Sequence, residues 1–286
     1  MKKATVKTRQ LEKSSVIIPA GQVRKEVLKL GGWKSKIILE PGSKATILEC
    51  NVLPSLAGRK RKQCDMDIKI GKGAGLHYVV LVSGGKGIRA IRRQSTVEEG
   101  GTVHWHIVTL GGHGDRHELV SMLVGKNATS SIDWIFFVRG DEKQHVSAST
   151  IFAAPGGRGG ITMKGVAQDH GYIQCDGKIE ITKRGKGTNT SLTEKILLLA
   201  ETAHAAAVPA LEIRTNDVKA SHSVSVSRVS PEDLFYLQSR GLRTNEARRM
   251  YVEGFLSDLT EKIPDALIRV KILAAIRAAN SNGAGT

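Results

Sequence analysis

His222 heads a strict alternation, Ser223-Val224-Ser225-Val226-Ser227, that runs into Ser230-Pro231-Glu232. Alternation of period two marks a half-buried strand, so a single imidazole is offered at a strand end. Imidazole ligates iron well, and a strand-edge position could present it to a second chain. The plainer alternative is a surface or hydrogen-bonded histidine. His104-Trp105-His106 is the rival pattern, because on a strand both rings point to one face, as a metal pair requires. Structural histidines would give the same spacing. Glu194, just before the apolar run at 196–199, is either a carboxylate donor or a solvated turn residue. Cys50, Cys64 and Cys175 form no C-x-x-C pair, which speaks against a disulfide framework and for a reducing cytoplasm. A thiolate can accept sulfur, but a free cysteine is more often a small core residue.

Several elements must position these groups. After the strand, Ser230 caps a helix with Pro231 in its first turn, Leu234, Phe235 and Leu237 follow at helical spacing, and Gly241 closes it. A second helix begins near Thr244 with Glu246. Leu256, Leu259, Ile263, Leu267, Val270, Leu273 and Ile276 continue an apolar stripe, restarted at Pro264 and Asp265. The tail from Asn280 is small and polar, hence frayed.

Upstream, one layout recurs: an apolar strand end, a Gly-centred turn, then a small residue. It occurs at Pro41-Gly42-Ser43, Gly71-Lys72-Gly73, Glu99-Gly100-Gly101, Gly125-Lys126-Asn127, Pro155-Gly156-Gly157 and Gly185-Lys186-Gly187. A step of roughly 26 to 30 residues, filled by strand pairs rather than helices, predicts stacked coils of a β-helix. A β-sandwich would turn every 8 to 12 residues or so. The expected division is a lead-in over 1–22, a β-helix core over 23–229 and a C-terminal helical part over 230–286.

Bulk properties narrow the function. The formal net charge is +16, but the basic residues are dispersed apart from Arg59-Lys60-Arg61-Lys62, which lacks interleaved aromatics. Nucleic acid is therefore not an expected partner. No apolar run reaches membrane-spanning length and no secretory signal is visible. The chain has no P-loop, no G-x-S-x-G and no H-E-x-x-H. The H-x-H pair, with His113 and His117 nearby, is similar to a cupin motif, yet Leu110 and Gly111 stand where a cupin acid belongs. A cupin-like or lyase-like metal enzyme centred on His104 and His106 is the alternative function.

The strand at 221–228, the helix with its Ser239-Arg240-Gly241 stop and the second helix together resemble the C-terminal core of the SufB/SufD iron–sulfur assembly scaffolds. Ile161 to Val166, Gly177 to Ile181, Leu197-Leu198-Leu199 and Val208-Pro209-Ala210-Leu211-Glu212-Ile213 extend that likeness, and Leu110-Gly111-Gly112 with Val124-Gly125 resembles an earlier coil. The resemblance implies a mainly β fold, a right-handed parallel β-helix with a C-terminal helical subdomain. It implies a non-enzymatic, cytoplasmic scaffold, a homodimer or SufB/SufD-like heterodimer, that carries a transient Fe–S cluster. A sulfur donor and a SufC-like ABC-type ATPase would be its partners. It points to His222, Glu194 and Cys175 for the cluster, with iron on His222 and Glu194. Ser223, Ser225 and Ser227 would form the dimer strand. Phe235, Tyr236, Arg240 and Gly241 would dock the ATPase, although Phe235 is also expected to pack on the last coil. Glu194 falls where SufB-type members carry a cysteine, and Ser223 replaces their acid, so the chain is closer to SufD. The family's larger N-terminal helical region is not evident, which suggests a short, core-only member.

Overall fold

The Gly-centred turns stack on one another and form a spine. Gly42 N donates to Lys72 O at 2.9 Å, Gly73 N to Glu99 O at 2.9 Å and Gly100 N to Lys126 O at 2.9 Å. Asn127 N then donates to Pro155 O at 2.9 Å, Gly156 N to Lys186 O at 2.8 Å and Gly187 N to Asp217 O at 2.7 Å. Each donor residue has a positive φ, and Asn127 (φ 57°) is the one non-glycine, a type that tolerates this region. At Gly125 the requirement is space: an added Cβ would sit 1.9 Å from Glu99 N in the preceding turn.

The computed structural model describes residues 6–11, 15–30, 34–52, 62–84 and 89–281. The chain runs through β1 (Val6–Leu11), β2 (Ser15–Ile18), β3 (Val23–Leu30), β4 (Lys34–Leu39), β5 (Lys44–Val52) and β6 (Lys62–Ile70). Next come β7 (Gly75–Ser83), β8 (Arg89–Val97), β9 (Thr102–Leu110), β10 (His113–Leu123), β11 (Thr129–Val138) and β12 (Lys143–Phe152). The last coils are β13 (Arg158–Ala167), β14 (Tyr172–Ile181), β15 (Thr188–Leu198), β16 (His204–Ile213) and β17 (Val218–Arg228). Three helices close the chain: α1 (Pro231–Ser239), α2 (Thr244–Glu261) and α3 (Ala266–Ser281). Arg59, Lys60 and Arg61 of the basic run, the side chain of Cys50 and residues 282–286 lie outside the description.

Odd-numbered strands form a nine-stranded sheet in the order β1-β3-β5-β7-β9-β11-β13-β15-β17, and even-numbered strands an eight-stranded one ending at β16. Every pairing is parallel, as in Thr102↔Thr129 and Thr129↔Arg158, steps of 27 and 29 residues. This is the parallel β-solenoid that the turn rhythm predicts. Pairing already begins at β1, whose Val6 meets Lys25 of β3, upstream of residue 23.

Alternation sets what faces the lumen. On β14 every second residue, from Ile173 to Ile181, is buried. Ile173, Cys175, Ile179 and Ile181 join Trp105, Trp134 and Phe136 in one continuous core, each fully buried aliphatic side chain contributing about 1.5–3 kcal/mol. The odd-strand sheet is also buried on its outer face, where α2 and α3 lie against Val79, Val108 and Phe137. Its strands therefore read as continuous apolar runs, as at Ile135-Phe136-Phe137-Val138.

The helices follow their local signals at the start and depart from them later. Ser230 Oγ accepts from Asp233 N at 3.0 Å with Pro231 in the first turn, and Gly241 has φ 93°. Asp265 Oδ1 accepts from Ile268 N at 3.0 Å, restarting the helix after Pro264. The expected stripe, however, changes phase at that break. Leu267 is 72% and Val270 64% exposed, while Ile268, Ile272 and Ile276 are buried. α3 has apolar residues around much of its girth, so packing against the sheet selects the face. Phe235 likewise does not pack on the last coil, and α1 contains no buried residue.

Candidate functional site

The solenoid ends at an open coil. Among the described residues nothing pairs with the outer edges of β16 and β17. Every residue from Ser221 to Arg228 is exposed. Register assigns their directions: Leu192↔His222, Glu194↔Val224 and Ile196↔Val226. Leu192, Glu194 and Ile196 fill the lumen, so His222, Val224 and Val226 continue inward-facing columns beyond the last covered coil. They are exposed because no further coil of the described residues lies above them. Ser223, Ser225 and Ser227 occupy the outer alternation, and Ser223 Oγ donates to Thr193 Oγ1 at 3.2 Å.

One coil below, Glu194 is fully buried in the middle of β15, which overturns the reading of a solvated turn residue. Cys175, on β14, is also fully buried, and its Sγ lies 3.7 Å from Glu194 Oε1 and 3.7 Å from Met163 Sδ. Glu194 Oε2 has no hydrogen-bond partner among the described residues. Burial pushes the Glu194 carboxyl up to about 7, with the Asp176 charge adding and the Gly177 amide and Cys175 thiol opposing. Burial, then the Glu194 charge, holds Cys175 far above the ordinary thiol range, so it remains protonated. The structure thus brings Glu194 and Cys175 together. His222 stands apart from them on the neighbouring strand, at the exposed rim.

Tyr236 and Phe235 are 59% and 71% exposed on α1. The Arg240 guanidinium lies 5.3 Å from the Tyr236 ring centre and donates to its hydroxyl at 3.4 Å. The helices behind α1 are pinned to the odd-strand sheet. Lys164 Nζ donates to Phe255 O and Asp258 Oδ1, both at 2.6 Å, and Lys262 Nζ donates to Asp133 Oδ1 at 2.7 Å.

His104 and His106 do share a face, as expected, and His77 joins them from the preceding coil through the register His77↔His104. His77 stacks on His104 with ring centres 4.7 Å apart, and its Nδ1 lies 3.4 Å from His106 Nε2. The repeat step was the signal for His77, which lies 27 residues before His104. Burial, followed by His77, His104 and Lys262, depresses His106 to about 3, and burial lowers His77 and His104 too. Among the described residues no group of three His, Cys, Asp or Glu side chains is arranged to hold a metal ion. The surrounding fold is a solenoid, not a cupin barrel.

Another group in the lumen escaped the sequence reading. Arg93 on β8 pairs with Glu49 on β5, and Tyr78 Oη donates to Glu49 Oε2 at 3.0 Å. All three side chains are buried. Nothing local marks them, since their partners arrive from other coils.

Comparison with known proteins bears on this geometry. The family model described as "SUF system FeS cluster assembly, SufBD core domain" matches residues 33–255. A protein of Staphylococcus saprophyticus, named an iron-sulfur cluster assembly SufBD family protein, is 25% identical over 232 residues, covering 81% of this chain and 50% of the relative. Proteins of the same name from Mycobacterium tuberculosis and Mycobacterium leprae are 28% identical over 174 residues and 25% over 232 residues. The first match covers 61% of this chain and 21% of the relative, the second 81% and 27%. The chain spans half or less of the length of these curated relatives.

Proposed function

This chain belongs to the SufBD core family of the SUF system for iron–sulfur cluster assembly, and from that premise we propose that it is an assembly scaffold that builds a nascent cluster at a subunit interface and is coupled to a SufC-like ABC-type ATPase. The observation that carries the proposal is the open terminal coil, where His222 extends an inward column with none of the described residues stacked above it. Exposed strand edges invite pairing with another chain. Val224 and Val226, 48% and 45% exposed, supply the apolar surface that such pairing would cover.

Two chains pairing along Ser223, Ser225 and Ser227 would bring two His222 imidazoles to one junction, as a homodimer or with a SufB/SufD-like partner. Iron and sulfide are the cargo assembled there, with sulfur arriving from a donor protein. Glu194 and Cys175 lie one coil beneath as inner donors. In this reading the chain acts as a scaffold and not as an enzyme, and its sequence holds no P-loop for ATP hydrolysis by that route. ATP would be hydrolysed by the partner docked on Phe235, Tyr236, Arg240 and Gly241. Closure of two such ATPases would pull on two helical parts (230–286) and strain the junction between the solenoids (23–229). A cytoplasmic location follows from the same reading, and no helix among the described residues is long and apolar enough to cross a membrane.

Substituting His222→Ala should abolish anaerobic Fe–S reconstitution in the purified complex while leaving its melting temperature unchanged, because the side chain is exposed. Undiminished cluster content in that variant would overturn the proposal.

A further inference from the structure

We infer that Cys175, Met163 and Glu194 form an enclosed site for one soft monovalent cation of the copper(I) class. The site shares two residues with the scaffold reading but does not rest on it, since it needs neither a second chain nor His222.

Three observations carry the inference. The two sulfurs are 3.7 Å apart, and two metal–sulfur bonds of about 2.3 Å, at angles between tetrahedral and trigonal, place sulfurs about 3.8–4.0 Å apart. Glu194 Oε1 stands at 3.7 Å from the same thiol, while Oε2 is buried without a partner. An unpaired buried carboxylate oxygen is costly, so it points to a ligand or a proton that completes the site. All three side chains are fully buried in the lumen. Above them the terminal coil contributes Ala207 opposite Cys175 and Val224 opposite Glu194. The cover is therefore thin and faces the open end of the solenoid.

The donor types select the ion. Thioether and thiolate favour soft cations such as copper(I), whereas Mg2+ and Ca2+ require six or more oxygens. Binding forms a metal–sulfur bond at Cys175 and breaks its S–H bond, with the proton passing to the Glu194 carboxylate, or to solvent where that carboxyl already carries a proton, and no electron moving. Thiolate and monovalent cation then cancel, leaving the apolar lumen without net charge. A divalent ion would leave a positive charge there, which burial penalises.

Anaerobic copper(I) titration of the full chain against a chromophoric copper(I) chelator tests this. A Cys50→Ser/Cys64→Ser background makes Cys175 the only thiol. One copper(I) per chain is expected. Binding should weaken by at least about 100-fold in Cys175→Ser and about tenfold in Met163→Leu, bracketing the usual cost of losing a supporting ligand contact. Met163→Leu conserves volume and keeps the fold, and His222→Ala should bind as the parent does. X-ray absorption of the unsubstituted, loaded chain should show two sulfur neighbours at about 2.3 Å. Unweakened binding in Cys175→Ser or Met163→Leu, or a shell of nitrogen and oxygen alone, overturns the site. Loss of binding in His222→Ala also overturns it, by moving the ion to the rim. Intact copper(I) binding with unimpaired cluster assembly in His222→Ala would sink the scaffold reading alone.

Discussion

Glu49 and Glu194 stand in one inward column of the odd-strand sheet, linked through Val80, Ile107, Trp134 and Met163. Both are fully buried, yet their surroundings differ in kind. Glu49 meets the Arg93 guanidinium and the Tyr78 hydroxyl, so its charge is matched within the lumen. Glu194 meets a thiol, a backbone amide and no cation, and is pushed up to about 7. Burying a carboxylate costs several kcal/mol unless a partner compensates. In the body of the solenoid the partner is built in. Beside the open end the described residues supply no cation, and an acid without a compensating charge is free to take a proton or an ion. The contrast separates a structural acid from one available for chemistry, although both occupy the same position in the repeat.

The largest expected effect breaks the compensated side. Arg93→Ala strands Glu49 in the lumen and should cost about 3–5 kcal/mol in denaturant unfolding. Replacing both partners, as Glu49→Leu/Arg93→Leu, should restore most of that loss. A cost below about 1 kcal/mol for Arg93→Ala, the scale of an exposed pair, would show that the two acids are not differently supported.

A smaller effect sharpens the other side. The folded chain holds the Glu194 proton up to about pH 7, against an ordinary glutamate value of 4.5. Between those values the folded state binds more protons than the unfolded state, so the stability from this group is full below 4.5 and lost as pH rises through 7. Glu194→Gln cannot ionise and should remove that decline. Its stability relative to the parent should therefore grow from pH 4.5 to 7 and then level off. Parallel unfolding midpoints for the two chains across this range would contradict a carboxyl without a compensating charge.

The smallest effect on the fold is expected outside the lumen. Phe235→Ala and Tyr236→Ala remove exposed rings and should change stability by no more than about 0.5 kcal/mol. The same variants should lose co-purification with a SufC-like ABC-type ATPase, the partner proposed for this surface. A large loss of stability would place these rings in the structural class with Glu49.

Much of the fold was legible because its signals are short-range. A left-handed turn position needs Gly or Asn, and Gly42, Gly73, Gly100 and Asn127 announce the coil period directly. Ser230 and Pro231 likewise mark the start of α1 at the correct residue. The site was legible only in part. His222 could be located at the head of its strand, whereas Glu194 also suited a solvated turn; exposure at 222 and full burial at 194 depend on which coil is last. The α3 face was misread because Leu267, Ile268, Val270 and Ile272 all suit a helix, and only contact with the sheet distinguishes them. His77 joins His104 and His106, and Arg93 joins Glu49, across coils that no local window spans.

Period, turn chemistry and the inward or outward alternation of each strand were properties of the sequence alone, because they depend on backbone geometry within a few residues. Which buried acid found a cation, which apolar face of α3 was covered and which histidine was left at an open rim were decided by the tertiary structure. Those outcomes depend on neighbours brought from other coils and on where stacking stops, since desolvation and pairing act through space and not along the chain.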